Sequence, residues 1–170
     1  MSYIVDLDNE TNTAIRVQLY EDVKNTEMLK TQLLSGKLKC CIIKPSLILD
    51  VLQVIVAANK AVTARKITTK SIYTEILFNL SPSNNITQSL QRFGIGDNDT
   101  TLLVVSLVKK DDSNDNVFTS VVGHELDISE LGCLADLHAL KRIYKISEKE
   151  SHSLELLDSI VSRIACKEIL

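Results

Sequence analysis

At 170 residues the chain has the length of one domain, and its 45% hydrophobic and 24% charged residues are ordinary globular values that exclude a disordered tail or a collagen-like fibre. A formal charge of -3 excludes an indiscriminate polyanion binder. Trp is absent and aromatics are 4%, so the core must pack through Leu, Ile and Val, and a chain of this length buries roughly 70% of its unfolded surface unaided.

From the N-terminus, Ala14 to Tyr20 alternates Ile15, Val17 and Leu19 with Arg16, Gln18 and Tyr20, which predicts a half-buried strand. Asn25 to Gly36 reads as a helix with Met28, Leu29 and Leu33 on one face and Gly36 as its stop. Cys40 to Ile43 is a short buried strand ended by Lys44-Pro45. The apolar run Leu47 to Val62 contains Asp50, Gln53, Asn59 and Lys60, and so falls short of the ~18 apolar residues of a membrane span. Asp50 and Gln53 fit a capping box that starts a mostly buried helix from about Val51 to Lys66. In that reading Val51, Leu52, Ile55, Ala58 and Val62 form the apolar stripe, and Gln53, Ala57 and Lys60 a narrower polar side.

Ser71 to Leu80 matches a helix through Ile72, Ile76 and Leu80, although its branched and aromatic residues would also suit a strand. Asn85 to Phe93 is a further short helix ended by Gly94, and Thr101 to Val108 is a continuous apolar run expected as a central strand covered on both faces. Lys109 to Asn116 reads as an exposed loop. Val117 to Leu126 is either a strand or a short helix followed by one. Leu137, Leu140 and Ile143 mark another helix, and a last one is expected from about Ser151 to Cys166, striped by Leu157, Ile160, Val161 and Ile164. These elements predict a single compact α+β domain (an α/β sandwich) over residues 1–170, with a central, mostly antiparallel or mixed sheet packed by several helices.

Catalytic and metal motifs do not emerge. Cys40, Cys41, Cys133 and Cys166 have no Cys-x-x-Cys spacing, and His124, His138 and His152 are scattered, so no zinc site is expected. The N-terminal residues Ser2 to Asp6 lack the basic and apolar regions of a secretory leader, and the cysteines are expected to stay reduced. Cys40 and Cys166, each beside a lysine, are expected to be buried and inert. Gly36-Lys37 and Gly94-Ile95-Gly96 lack the partner glycines of a nucleotide loop, and there is no Gly-x-Ser-x-Gly elbow.

Charge is unevenly distributed. Val51 to Gly96 contains one acid, Glu75, against Lys60, Arg65, Lys66, Lys70 and Arg92. Four of these cations cluster at a helix end and the loop after it, among the hydroxyls of Thr63, Thr68, Thr69 and Ser71, a mix suited to phosphate or ribose contacts. The alternative is a solvated helix end, where cations favour the C-terminal dipole.

The ordered segments Val56-Ala57-Ala58-Asn59-Lys60-Ala61-Val62, Thr74 to Pro82, Asn84-Asn85-Ile86, Phe93-Gly94-Ile95 and Lys141 to Ser147, with Asp22 to Asn25 before them, resemble the PRPK-binding protein (TPRKB) family of KEOPS/EKC complex subunits. The resemblance implies a compact α/β domain with no activity, metal or cofactor of its own. It implies binding to the PRPK-type atypical kinase/ATPase and, through it, indirect association with the threonylcarbamoyl transferase (OSGEP type) and other KEOPS/EKC subunits. It also implies a tRNA-holding role, notably at the 3′ CCA end, in a complex that modifies the adenosine 3′ of the anticodon, with a cytoplasmic and nuclear location and no membrane. The tRNA-contact candidates are Asn59, Lys60, Arg65, Lys66, Lys70 and Arg92, with Asn59 a polar contact to a splayed base. Leu157, Ile160 and Ile164 are the partner-contact candidates, read as helix-in-groove anchors. A purely protein-binding regulator of that kinase, with no RNA contact, is the alternative.

Overall fold

The computed structural model describes residues 2–109, 117–153 and 155–169. The strands are β1 (Tyr3–Asp6), β2 (Thr13–Glu21), β3 (Cys41–Ile43), β4 (Leu102–Lys109) and β5 (His124–Leu126). The helices are α1 (Thr26–Leu34), α2 (Val51–Thr63), α3 (Ile72–Leu80), α4 (Ile86–Phe93), α5 (Leu131–Leu134), α6 (Leu137–Ile143), α7 (Glu148–Ser153) and α8 (Leu156–Ala165). All strand pairs are antiparallel: β4 lies between β2 and β3, while β1 and β5 pair with successive stretches of the other edge of β2, Tyr3 opposite Val17 and Leu126 opposite Leu19. The chain is therefore an α+β domain with an antiparallel sheet. No described helix is long and apolar enough to cross a membrane.

Alternation along the strands divides the core in two. Ile15, Val17, Leu19, Cys41, Ile43, Leu103 and Val105 point into the larger half, against α2, α3, α4, α6 and α8. Tyr20, Ile42, Leu102 and Val104 point into the smaller half, with Leu29 of α1 and Phe118. This second layer corrects the expected half-exposure of β2. Gln18 and Tyr20 are buried because α1 and the turn at Phe118–Ser120 cover the face that the alternation alone leaves open. The Tyr20 hydroxyl donates to the Phe118 carbonyl at 3.3 Å, and the Arg16 guanidinium lies 4.4 Å from the Phe118 ring centroid. β4 is central and buried on both faces from Leu102 to Ser106, as its apolar run predicts. The ambiguity at Val117 to Leu126 resolves as a short 3-10 turn followed by β5. The expected loop after Lys109 lies outside the described residues.

The capping box at α2 forms as the sequence predicts: Asp50 Oδ1 accepts from the Leu52 amide, and Gln53 Oε1 accepts from the Leu49 and Asp50 amides. The polar side assigned to this helix is wrong. Gln53 and Ala57 are fully buried with Val54, Ala58 and Ala61, while Leu52 is exposed. The reason is size and wiring. Three alanines let α2 approach its neighbours closely, and the Gln53 side chain is consumed by the chain entering the helix, donating also to the Leu47 carbonyl. Asn79 of α3 ties the two helices by donating to the Ala57 carbonyl at 3.1 Å.

The helix expected from Ser151 to Cys166 is instead two. α7 begins at Glu148, Glu155 is extended (φ -62°, ψ 143°), and α8 starts after it. The two are held together by Arg163 of α8, whose Nη atoms donate to the Glu150 carboxylate of α7 at 2.5 and 2.7 Å. This bidentate pair holds the Glu150 carboxyl down at about 2, its hydrogen bonds with Arg163 being the largest cause.

Candidate anion-binding cleft

The segment between α2 and α3 is folded around one acid, Glu75 in the first turn of α3. Glu75 Oε2 accepts from the Thr68 and Thr69 amides at 3.0 and 2.8 Å and from the Thr69 hydroxyl at 2.9 Å, and Ser71 and Thr74 close a capping box around the start of α3. Glu75 is buried in this role. Arg65, Lys66 and Lys70 remain exposed, and among the described residues no carboxylate pairs with them.

Asn59 and Lys60 are differently placed. Asn59 Oδ1 accepts from the Asp8 amide at 3.0 Å, pinning the turn after β1 onto α2. Lys60 Nζ donates to the Ile164 carbonyl at 2.7 Å and lies 2.8 Å from the Glu168 carboxylate. Both polar groups are thus committed inside the chain. Of the partner-contact candidates, Ile160 and Ile164 are buried in the larger core against α2, and Leu157 is half-buried. A stripe at spacings of three and four is what either a core or a docking face requires. Here the alanine face of α2 takes it, and Leu157 alone of the three reaches the surface.

Arg92, the sixth candidate, lies elsewhere. A cavity of about 580 Å³ opens where the Pro82–Gln88 stretch, α4, the end of α6 and α8 converge. Five cations line it, Arg92, Arg142, Lys145, Arg163 and Lys167, with no carboxylate among the lining residues. Each has a local reason to be there. Asn85 caps α4 by accepting from the Gln88 amide at 2.9 Å, which sets the helix whose last turn carries Arg92. Arg142 occupies the last turn of α6, where a cation suits the helix dipole. Lys145 has φ 53° and turns the chain away. The floor is Tyr144, fully buried, whose hydroxyl donates to the Leu80 carbonyl at 2.5 Å and whose ring meets Phe93 edge-on at 6.3 Å. Burial pushes its phenol well above the ordinary tyrosine value.

Lys167 is the unusual member. It follows α8, is 5% exposed, donates to the Phe78 carbonyl and lies 3.4 Å from the Phe78 ring centroid. Burial, and then the charge of Lys60, lower its ammonium to about 8. Ser83 and Gln88, joined by a 2.7 Å hydrogen bond, add neutral polar groups at the rim, and Pro82 and Ile143 supply apolar surface. Such a cleft suits a phosphate-bearing ligand with a planar or apolar portion.

The sequence reading found Arg92 and missed Arg142, Lys145, Arg163 and Lys167. The available signals were the Lys141-Arg142…Lys145 spacing at one helix end and the i, i+4 placement of Arg163 and Lys167. Among the described residues no three His, Cys, Asp or Glu side chains come together to hold a metal ion. His124, His138 and His152 are all exposed, with His124 Nδ1 3.7 Å from Asp22. Cys40 and Cys41 are buried, and desolvation raises the Cys40 thiol to about 12. Cys166 is exposed, against the expectation of burial, because α8 ends one residue before it and turns its core face elsewhere.

The fold is a single α+β domain that carries a cationic cleft assembled from helix ends. The chain belongs to the family described as kinase binding protein CGI-121, whose model matches residues 20–168. It is 38% identical over 156 residues to the EKC/KEOPS complex subunit TPRKB of Danio rerio, covering 89% of each chain. It is 31% identical over 170 residues to the EKC/KEOPS complex subunit cgi121 of Aspergillus fumigatus, covering 90% of this chain and 89% of that one. Against the EKC/KEOPS complex subunit CGI121 of Kluyveromyces lactis it is 31% identical over 137 residues, 76% of this chain and 85% of that one. The resemblance drawn from the sequence segments is thereby met.

Proposed function

We propose that this chain is a non-catalytic subunit of an EKC/KEOPS-type complex, docking on the PRPK-type kinase/ATPase and presenting a cationic cleft to tRNA for threonylcarbamoylation of the adenosine 3′ of the anticodon. The observation that carries the RNA half is the cleft, with five cations, no lining carboxylate and polar groups at its rim. The family description and the names of the relatives support the kinase and complex half. Through the kinase the chain would associate with the transferase subunit without touching it. In this reading the tRNA 3′ CCA end enters the cleft, where its unstacked bases and backbone meet guanidinium planes and ammonium groups. Arg65, Lys66 and Lys70 add an exposed electrostatic lead-in. Leu157 is the kinase-contact residue of α8, with Ile160 and Ile164 holding that helix from behind.

The test is binding of labelled tRNA, with and without its CCA end, to the isolated chain, beside co-purification of the kinase with Leu157→Arg. Loss of affinity on removing CCA supports the RNA role. Equal binding of both tRNAs rejects the CCA-end reading. The internal commitment of Asn59 and Lys60 favours a second reading, a regulator that binds only the kinase. Absence of any tRNA binding, with kinase co-purification intact, selects that reading. Incubating the purified chain with ATP, and with threonylcarbamoyl-adenylate and tRNA, should give no turnover above a blank.

A further inference from the structure

Lys167 is a nearly buried ammonium in the wall of a cleft, and the chain positions it with a dedicated clamp. Lys60, from the last turn of α2, grips the turn on both sides of it, through the Ile164 carbonyl and the Glu168 carboxylate. The Ile169 amide closes the turn by donating to the Cys166 carbonyl at 2.9 Å. An ammonium has three donors. The Phe78 carbonyl is the one hydrogen-bond acceptor that Lys167 Nζ meets among the described residues, and the Phe78 ring face takes part of the remaining charge.

The charges around it are of both signs. Lys60 of α2 acts against its charge, and Arg92 of α4, Arg142 and Lys145 at the end of α6, and Arg163 of α8, already paired with Glu150, line the same cleft. Opposing them are Glu75 of α3 and Glu168 of the turn itself, each already holding other donors. Burial first, and then Lys60, disfavour the charged form in the empty cleft, and an anion entering the cleft favours it.

We propose that Lys167, held by the Lys60–Glu168 clamp, is the proton-linked contact of the cleft, so that the cleft takes up a phosphodiester anion and a proton together. The proposal rests on the reading of the cleft as a nucleic-acid site but does not require that the nucleic acid end in CCA. By linkage, anion affinity is highest where Lys167 is already protonated and falls as pH rises above about 8, the value to which burial lowers it. The clamp makes Lys60 a positioning residue: it acts on the anion through Lys167.

The experiment uses the full chain carrying Cys166→Ser, which removes the exposed thiol beside Lys167, and a single-stranded oligoadenylate, whose phosphodiesters and bases do not titrate between about pH 7 and 9.5. Calorimetry in two buffers of different ionisation enthalpy should show net proton uptake near pH 8.5. Affinity should drop toward about tenfold per pH unit above that point. The Lys167 side-chain NMR signal should titrate near 8 without oligoadenylate and higher with it. Lys167→Met, and Lys167→Gln as a second variant, should abolish the proton uptake. Lys60→Met should lower affinity and shift the profile, which a merely structural role would not do. Zero proton uptake by the chain with Lys167 intact, an unchanged pH profile in Lys167→Met, or no binding of oligoadenylate overturns the proposal. Proton-linked oligoadenylate binding with equal affinity for tRNA with and without CCA upholds it and rejects the CCA-end reading.

Discussion

The loop between α2 and α3 and the cleft beside α8 are both cationic, but they are built in opposite ways. The loop takes Arg65, Lys66 and Lys70 from one stretch of six residues, wraps its backbone over Glu75 of α3 and leaves the cations in water. The cleft draws its cations from α4, the end of α6, α8 and the turn after it, and confines them in about 580 Å³. Like charges dispersed in water repel weakly and are screened by salt, whereas charges in a concave site reinforce one potential. Charge that is contiguous in sequence is the easier to see and the weaker to bind with.

The comparison is broken most directly by charge reversal. Replacing Arg92, Arg142 and Lys145 together by Glu should lower tRNA affinity by about 100-fold and reduce the salt slope by roughly 0.7 for each phosphate that is no longer neutralised. The same reversal at Arg65, Lys66 and Lys70 should cost about threefold, because exposed charges are screened. A filter-binding salt series on both variants decides it, and equal losses would erase the distinction between the two regions.

The supports of the two regions should separate as cleanly. Glu75→Ala removes one acceptor from three donors, at a cost of about 2 kcal/mol in urea unfolding. It should leave affinity within the small range of the loop variant. Tyr144→Phe leaves the Leu80 carbonyl under the cleft unpaired. We expect a loss of about 1 kcal/mol, read by the same unfolding curves with an unchanged slope.

The smallest effect concerns the α7–α8 pair. Glu150 is held at about 2 in the folded chain, below the ordinary value near 4.3 of an unfolded glutamate. Its contribution is therefore complete above about pH 4.3 and is lost as pH falls toward 2. Glu150→Gln should flatten the stability profile in that acid window and change little at neutral pH, since a quarter-exposed pair contributes modestly.

Legibility in the sequence follows how local each cause is. Capping is local, so the Asp50–Gln53 box and the start of α2 could be read directly, as could the helix at Ser71 to Leu80 once its i, i+4 apolar positions outweighed its branched residues. The burial of Gln18 and Tyr20 depends on α1 and Phe118, nearly 100 residues beyond β2, and alternation alone cannot register it. The same holds for the buried face of α2, where alanines read as neutral until a neighbour lies against them. Among the cleft residues Arg92 stood out because its surroundings lack acids, while Arg142, Arg163 and Lys167 sit among acids in the chain and are separated from them only by folding.

The arrangement of β1 and β5 on one edge of β2 bears on how the chain behaves at high concentration. Two strands of four and three residues share that edge, and the opposite edge is the three-residue β3, flanked by an isolated bridge from Ile43 to Gly94 and by the Lys44 amide donating to the Phe93 carbonyl. Among the described residues neither side offers a long, straight row of unpaired amides and carbonyls onto which a second sheet could add. A domain whose β4 reads as an eight-residue, largely apolar segment carries the raw material for fibrils, yet keeps that segment innermost between β2 and β3. Resistance to self-templated aggregation is thus built into strand order, and it should persist for as long as β2 and β3 stay paired to β4.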